Sequence, residues 1–458
     1  MFKDKNVLSH LLFFIFIAVF VVVVVQGLMN YQPGDENVYY YMGKLISEGK
    51  APYKDFFYAH PPLQIYLIAL IYKIFGFNII IMKSVPLIFT LVSAFFIFRI
   101  VKEKIGSLEA IVASLLFLFN YTVMFNSVFS FGIEIATAFL VIGIYLLWCR
   151  NQYFLSGTFF GLAAISRLLA LIPIAVVLIL TLSSSRKNFL KLSAAFISVF
   201  LLANAAFFLF FGQEYLTFVY KYHFLKSFGS KENFEEYVNI LKLNWILFFA
   251  AALLIFTKDR GKISLFAIVS TSYLLFLMLL KRIFGFYFIV VFPFLAVVGG
   301  YVVVQILRNM RLNKNRFMAL CIILLTVFMW NFAADIMFLE TDGFKGFERR
   351  GDIVEFINSQ QKGELFGDAS VAPLLALLSN KDIAMDFVDT NNQIFISGVK
   401  SLDKTLENLR GKNLLFIIRS REGISSFGEV RNFLNKNCDF LSQFYDKREG
   451  AYLIYGCR

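Results

Sequence analysis

Apolar residues run in long blocks through residues 1–339 and then stop. The runs lie near 8–29, 82–100, 108–126, 133–149, 153–166, 168–183, 189–211, 243–257, 263–280, 286–307 and 317–339. Most approach the ~20 residues that a helix needs to cross a bilayer. The pattern therefore predicts about eleven spanning helices. The first run follows Lys3 and Lys5, is long for a signal peptide and has no small-x-small cleavage pattern. It reads as an uncleaved first helix.

A twelfth run, 62–77, begins Pro61-Pro62 and carries Lys73. Charge decides how to place it. If it lies along the outer surface without crossing, the inward ends are Lys3/Lys5, Arg99/Lys102/Lys104, Arg150, Arg186/Lys187/Lys191, Lys258/Arg260/Lys262 and Arg308/Arg311/Lys314/Arg316. These 16 basic residues face only Asp4, Glu103, Glu109 and Asp259. If it crosses, every later basic cluster turns outward. The first arrangement puts the N-terminus in the cytoplasm and residues 30–81, 212–242 and the tail outside, with the plasma membrane as the expected location.

From residue 340 the pattern becomes that of a soluble α/β domain. Strands are predicted at Glu364–Gly367, Ile383–Phe387, Leu414–Ile418, Phe440–Tyr445 and Ala451–Tyr455, with helices such as Gly351–Ser359 and Leu402–Leu409 between them. The expected organisation is a membrane domain over 1–339, with its outer loop 30–81, and an extracytoplasmic domain over 340–458. No Gly-x-Gly-x-x-Gly or Walker pattern occurs, and no catalytic set stands out in the tail. It reads as a cover for the outer surface or an aid to acceptor choice.

Composition agrees. The chain is 59% hydrophobic and 16% charged, where a soluble domain is about a quarter charged. The net charge of +13 does not point to nucleic acid. The tail holds 16 basic and 17 acidic residues, so the excess lies in the membrane part, where it sets topology. Of the four cysteines, Cys149 and Cys321 fall inside apolar helices and read as packing residues. Cys438 and Cys457 flank a probable strand pair and could form a disulfide if the tail is outside. No zinc-ligand spacing is present.

Candidate chemistry gathers in the first outer loop. It reads Pro33-Gly34-Asp35-Glu36-Asn37-Val38-Tyr39-Tyr40-Tyr41, then Gly49-Lys50-Ala51-Pro52-Tyr53-Lys54-Asp55, then His60-Pro61-Pro62-Leu63-Gln64. Two readings of the adjacent carboxylates are open. Asp35 suits a helix N-cap, with Glu36 favouring the dipole from the first turn. Alternatively a carboxylate at the membrane boundary is a general base that takes a proton from an attacking acceptor hydroxyl, as in inverting glycosidases with the acceptor in place of water. Tyr39, Tyr53, Asp55, His60 and Gln64 are the loop's candidate substrate-binding residues. Asp35 and His60 are weak candidates for a metal.

Elsewhere, Glu134 sits at the outer end of an apolar helix, where a carboxylate is costly and functional by default. The plainer alternative is an interfacial Glu that reaches water. Lys281-Arg282, followed by Tyr287, falls outside, against the positive-inside trend. A lipid-phosphate leaving group would explain the pair, because cations stabilise its developing charge and Arg binds phosphate bidentately. Attraction to headgroups or to the loop's acids would also explain it. Arg167 is a further outward cation, for phosphate or for a carboxylate. His223 lies in the second outer loop. Aromatics make up 18% of the chain and mostly suit lipid-facing or core positions.

At these residues the sequence resembles the GT-C glycosyltransferases, in the branch that contains protein O-mannosyltransferases and the lipid A aminoarabinose transferase. The resemblance is carried by one hydrophobic helix, Asp35-Glu36, a Tyr-rich helix, Gly49-x-x-Pro52-Tyr53 and His60-Pro61-Pro62-Leu63. Glu134, the Gly157-x-x-x-Gly161-Leu162-Ala163 helix ending in Arg167, and Arg282, Tyr287 and Pro293 also match the family's layout. The motifs are dense in 33–64 and sparser over 8–310. The resemblance implies a GT-C-like bundle, mainly α, whose first outer loop holds a horizontal helix. It implies a multi-pass enzyme moving a sugar from a polyprenyl-phosphate donor to a lipid, protein or glycan acceptor. Asp35 would be the base, Glu36 and Glu134 its supports, and Arg167, Lys281, Arg282 and Tyr287 the donor-phosphate set. Some relatives use a divalent metal and others do not. Arg167 stands where many relatives have Lys, and the tail resembles no known acceptor module. The competing reading, a lipid or solute transporter without covalent chemistry, predicts mid-membrane charges and paired repeats. The sequence shows few of the former and no clear repeat.

Overall fold

The computed structural model describes residues 2–257, 260–310, 313–361, 363–420, 423–446 and 450–458, with the side chains of residues 2–6 and 314 excepted. Of the inward basic clusters, Lys258 and Arg311 lie outside the described residues, as do the side chains of Lys3, Lys5 and Lys314.

In chain order the helices are α1 (Phe2–Met29), α2 (Glu36–Ser47), α3 (Leu63–Phe75), α4 (Ile79–Lys104), α5 (Ser107–Leu118), α6 (Tyr121–Asn126), α7 (Ile133–Trp148), α8 (Tyr153–Ser166), α9 (Leu171–Ser184), α10 (Arg186–Leu216), α11 (Tyr222–Leu225), α12 (Ser230–Leu243), α13 (Trp245–Ala252), α14 (Ser264–Met278), α15 (Phe292–Asn309) and α16 (Lys314–Phe338). Every apolar run is helical. Among the described residues, by length and apolar composition alone, 6 helices are sufficient to cross a membrane, or 7 if α12 and the helix from Trp245 to Phe256, bent by 83°, count as one span. The remaining runs are shorter for local reasons. Run 108–126 breaks where Asn120 accepts a hydrogen bond from the Val123 amide and caps α6. The helix α3 has 13 residues, roughly 20 Å at 1.5 Å per residue, well short of a bilayer core.

The chain divides into two compact units. The first, a helix bundle, takes Met1–Met29, Lys83–Asn204 and Gly229–Lys345. Small residues set its closest contacts. A Cβ at Gly157 would lie 2.2 Å from the Leu192 carbonyl oxygen, and one at Gly161 2.5 Å from Val199 Cβ. The Gly-x-x-x-Gly face of α8 is thus the seat of α10. Gly300 meets Ala113 in the same way, bringing α15 onto α5. Acids near one set of helix ends are paired. Arg99 and Arg150 share Glu103, and Arg308 grips the buried Glu109 with both guanidinium nitrogens.

The second unit takes Asn30–Met82, Ala205–Phe228 and Gly346–Arg458. The first loop therefore clusters with the tail. The tail adds α17 (Arg350–Ser359), β1 (Glu364–Gly367), α18 (Ala372–Ser379), β2 (Asp382–Ile383), α19 (Asn392–Ile396), α20 (Leu402–Leu409), β3 (Leu414–Arg419), α21 (Gly428–Asn437), β4 (Cys438–Asp446) and β5 (Gly450–Cys457). The sheet order is β2-β1-β3-β5-β4. The strand β1 runs parallel to both β2 and β3, while β5 is antiparallel to β3 and β4. Phe366, Phe416 and Ile418 pack with Leu406, Val430, Phe433 and Leu434. The expected strand Ile383–Phe387 shrinks to its first residue. Met385 and Asp386 take φ of 60° and 53°, left-handed values that extended pairing cannot use, and a short 3-10 turn replaces the strand over Ala384–Asp386. Cys438 and Cys457 are disulfide-bonded.

Candidate functional site

In the second unit the Pro33-Gly34 turn delivers Asp35 to the N-cap position of α2, but not as a cap. Its backbone is already helical (φ −63°, ψ −22°) and its side chain makes no capping bond. The turn is closed by Asn37 instead. The Asn37 amide nitrogen of the side chain donates to the carbonyls of Gln32 (2.8 Å), Gly34 (3.1 Å) and Ser370 (3.2 Å). With the capping duty removed, the Asp35 carboxylate is exposed. Glu36 is fully buried and accepts from the Tyr40 hydroxyl at 3.3 Å. The two adjacent acids therefore occupy opposite environments.

The other loop candidates divide by exposure. The Tyr39 hydroxyl and His60 Nε2 lie 3.2 Å apart, and the rings of Tyr39, Tyr58 and His60 meet edge to face. His223, from the second loop, donates through Nε2 to the Ala59 carbonyl at 2.9 Å and lies with its ring 5.7 Å from that of His60. This cluster of amphipathic rings suits a sugar face. Tyr53 is instead an anchor. It is buried, donates to the His60 carbonyl at 2.7 Å and is enclosed by Phe207, Phe211 and Tyr215. Gln64, also buried, accepts from Tyr58. Asp55 closes the loop on itself through the Ala51 amide at 2.7 Å. These three shape the loop beneath the ring cluster.

Sequence reasoning missed a further acid. Asp389 lies in the loop before α19 and accepts from the Asn391 amide at 3.0 Å. Its carboxyl is pushed up to about 7, first by desolvation and then by the Asp35 carboxylate, with Lys226 opposing. No local pattern marks it, because its neighbour Asp35 is far away in sequence.

The bundle holds the cations and Glu134. Glu134 stands in the first turn of α7 after the left-handed Gly132. It is buried and lines a small cavity with Thr90, Ser93, Ser127 and Thr137, so it is not an interfacial acid that simply reaches water. Arg167 is buried where α8 ends in extended backbone, and it donates to the Phe131 carbonyl. Lys281 and Arg282 lie on the segment after α14, which Asn233 clamps through the carbonyls of Leu280 and Lys281 and the amide of Ile283. Arg282 rests against Gly229, where a Cβ would lie 3.0 Å from Nε, and Nε has no hydrogen-bond partner among the described residues. The Tyr287 carbonyl accepts from Tyr273, and its ring packs edge-on against Phe284 and Phe286. Lys83, which the apolar run concealed, is fully buried, donates to the Gly27 carbonyl and lies 4.7 Å from the centre of the Phe129 ring.

Among the described residues no three His, Cys, Asp or Glu side chains converge to hold a metal ion, and His60 Nε2 is engaged with Tyr39. This donor set does not fit a protein-built metal centre.

Residues 59–211 match the family described as dolichyl-phosphate-mannose-protein mannosyltransferase. No curated protein matches the chain in sequence. Among solved structures, ArnT from Cupriavidus metallidurans bound to undecaprenyl phosphate is similar over 96% of this chain and 97% of its own, at 14% identity and a TM-score of 0.67. The archaeal oligosaccharyltransferase AglB from Archaeoglobus fulgidus, in complex with an inhibitory peptide and a dolichol-phosphate, covers 96% of this chain and 74% of its own, at 10% identity and a TM-score of 0.56. A complex of the Archaeoglobus fulgidus oligosaccharyltransferase with Zn and sulfate matches at 11% identity, over 96% of this chain and 72% of its own, with a TM-score of 0.56. The helix content, the long apolar helices and the small terminal sheet agree with the ArnT match over nearly the whole of both chains, and the chain has the GT-C fold.

Proposed function

We propose that this protein transfers a sugar from a polyprenyl-phosphate donor to an acceptor hydroxyl, with inversion at the anomeric carbon, on the outer face of the plasma membrane. The observation that carries the reading is Asp35: an exposed carboxylate on a turn that other groups hold rigid. Asp35 takes the proton from the acceptor oxygen as that oxygen attacks the anomeric carbon. The bond from that carbon to the phosphate oxygen breaks, and polyprenyl phosphate leaves with the electron pair. Glu36, braced by the Tyr40 hydroxyl, and Glu134 are the acids that support Asp35. Arg167, Lys281, Arg282 and Tyr287 bind the donor phosphate and stabilise its developing charge. Tyr39 and His60 pack on the sugar.

Two observations support the outward placement of the loop and tail. The inward ends concentrate basic residues. The Cys438–Cys457 disulfide belongs to an oxidising compartment. The test is turnover of a panel of polyprenyl-phosphate sugars by purified protein in liposomes, with acceptor fractions supplied and the product's anomeric configuration read by NMR. Transfer with inverted configuration is expected. Retained configuration would remove the single-displacement mechanism, and no turnover of any donor would remove the transferase reading.

A further inference from the structure

The tail sheet has a feature that bears on Asp35. From β1 the chain passes through α18 to β2 on one side, while β3 lies on the other. The carboxyl ends of β1 and β3 therefore flank the switch point where open α/β sheets usually take a ligand. Here the β1 end is bonded to the Asp35 turn. Asp368, just after β1, is buried, faces Arg419 of β3 at 3.3 Å, and accepts from the Ser370 amide (3.0 Å) and hydroxyl (2.6 Å). These bonds fix the Ser370 carbonyl. That carbonyl in turn accepts from the Gly34 amide (2.9 Å) and from Asn37 (3.2 Å).

The contact continues along α2. Asn37, Tyr41 and Lys44 are spaced i, i+4, i+7 and share one helix face. The Tyr41 hydroxyl accepts from the Ile383 amide of the edge strand β2 at 2.7 Å, and Lys44 binds Asp382 at 2.9 Å. Gly43 packs α2 on α3, since a Cβ there would lie 2.6 Å from Ile68 Cγ2. The helix that follows Asp35 is thus held by the tail at three successive turns, and two of the bonds, from Gly34 and from Asn37, converge on the Ser370 carbonyl at the turn itself.

We infer that Asn37 is a positioning residue for the reaction. It ties the Asp35 turn to the end of β1, so that the tail sheet sets the direction of the Asp35 carboxylate and is not a separate acceptor-binding module at this crevice. The inference rests on the reading of Asp35 as the base. Asn37 touches no reacting atom; it acts through the turn. A misplacement of about 1 Å at a reacting group can cost about 100-fold in rate, so the loss should appear in kcat while donor KM stays near its wild-type value.

The experiment uses full-length protein in liposomes and the best donor of the panel. It compares Asn37→Ala, Lys44→Asp, Asp382→Lys, the Lys44→Asp/Asp382→Lys pair and Asp35→Asn. Expected are a loss of about 100-fold in kcat for Asn37→Ala with donor KM little changed, a smaller loss for each charge reversal, and recovery of kcat in the reversed pair. If Asn37→Ala does not fold, the charge-reversal pair carries the test. Loss of activity in Asp35→Asn with wild-type kcat in Asn37→Ala, or with no recovery in the reversed pair, overturns the inference and leaves the base in place. Full activity in Asp35→Asn overturns the reading beneath it.

Discussion

Glu109 and Asp35 both stand at the beginning of a helix, in two different units of the molecule, and their surroundings diverge. Glu109, in the first turn of α5, has 1% of its side chain exposed and is gripped by both terminal nitrogens of Arg308. Its charge is spent on holding α15 to α5. Asp35 is exposed, makes no capping bond, and stands on a turn closed by Asn37. The same side-chain chemistry gives a strut in one place and an exposed carboxylate in the other. The cations repeat the contrast within the bundle. Arg308 is bidentate on a carboxylate, whereas Arg282 rests on Gly229 with no hydrogen bond at Nε among the described residues. A bidentate ion pair fixes structure; a guanidinium with donors to spare can bind a phosphate.

Arg308→Ala leaves Glu109 buried as an uncompensated carboxylate and should destabilise the bundle by ~3 kcal/mol, read as a lower unfolding temperature in detergent. Turnover per folded molecule should stay near wild type. A selective loss of turnover would move Arg308 into the chemistry and erase the distinction. Arg282→Ala should do the reverse, lowering turnover about 100-fold with little change in unfolding temperature. Equal stability losses in the two variants would make Arg282 a strut as well.

The smallest expected effect sharpens the picture of the Asp35 neighbourhood. Burial and Asp35 raise the Asp389 carboxyl to about 7. The folded state therefore holds a proton that the unfolded chain has released above about pH 4. Stability falls as pH rises through that window toward 7. Asp389→Asn should then gain more stability at pH 8 than at pH 5. An equal gain at both values would show that Asp389 ionises normally.

Much of this was legible in the sequence. Apolar runs gave the helices because a buried or lipid-facing helix must be apolar along its length. Short apolar stretches gave β3, β4 and β5, and the Asp35-Glu36 turn stood out because two acids beside a membrane helix are costly. What could not be read depends on distant partners or unusual backbone. Asn37 looked like an ordinary polar helix residue, since the Ser370 carbonyl it binds is 333 positions away. Lys83 was hidden inside an apolar run, and only the fold shows it buried over Phe129. Residues 383–387 have strand-like composition, but the left-handed Met385 and Asp386 end the strand. Tyr53 and Gln64 carry the chemistry of binding residues, yet the fold uses them to build the loop from within.

The most direct measurement is donor turnover by wild type and Asp35→Asn side by side, with folding checked by thermal unfolding. The substitution keeps the shape of the side chain and removes its charge and basicity. The account predicts a loss of about 1,000-fold in kcat, within the range for a general base, at an unchanged unfolding temperature. Equal turnover by the two proteins would contradict it.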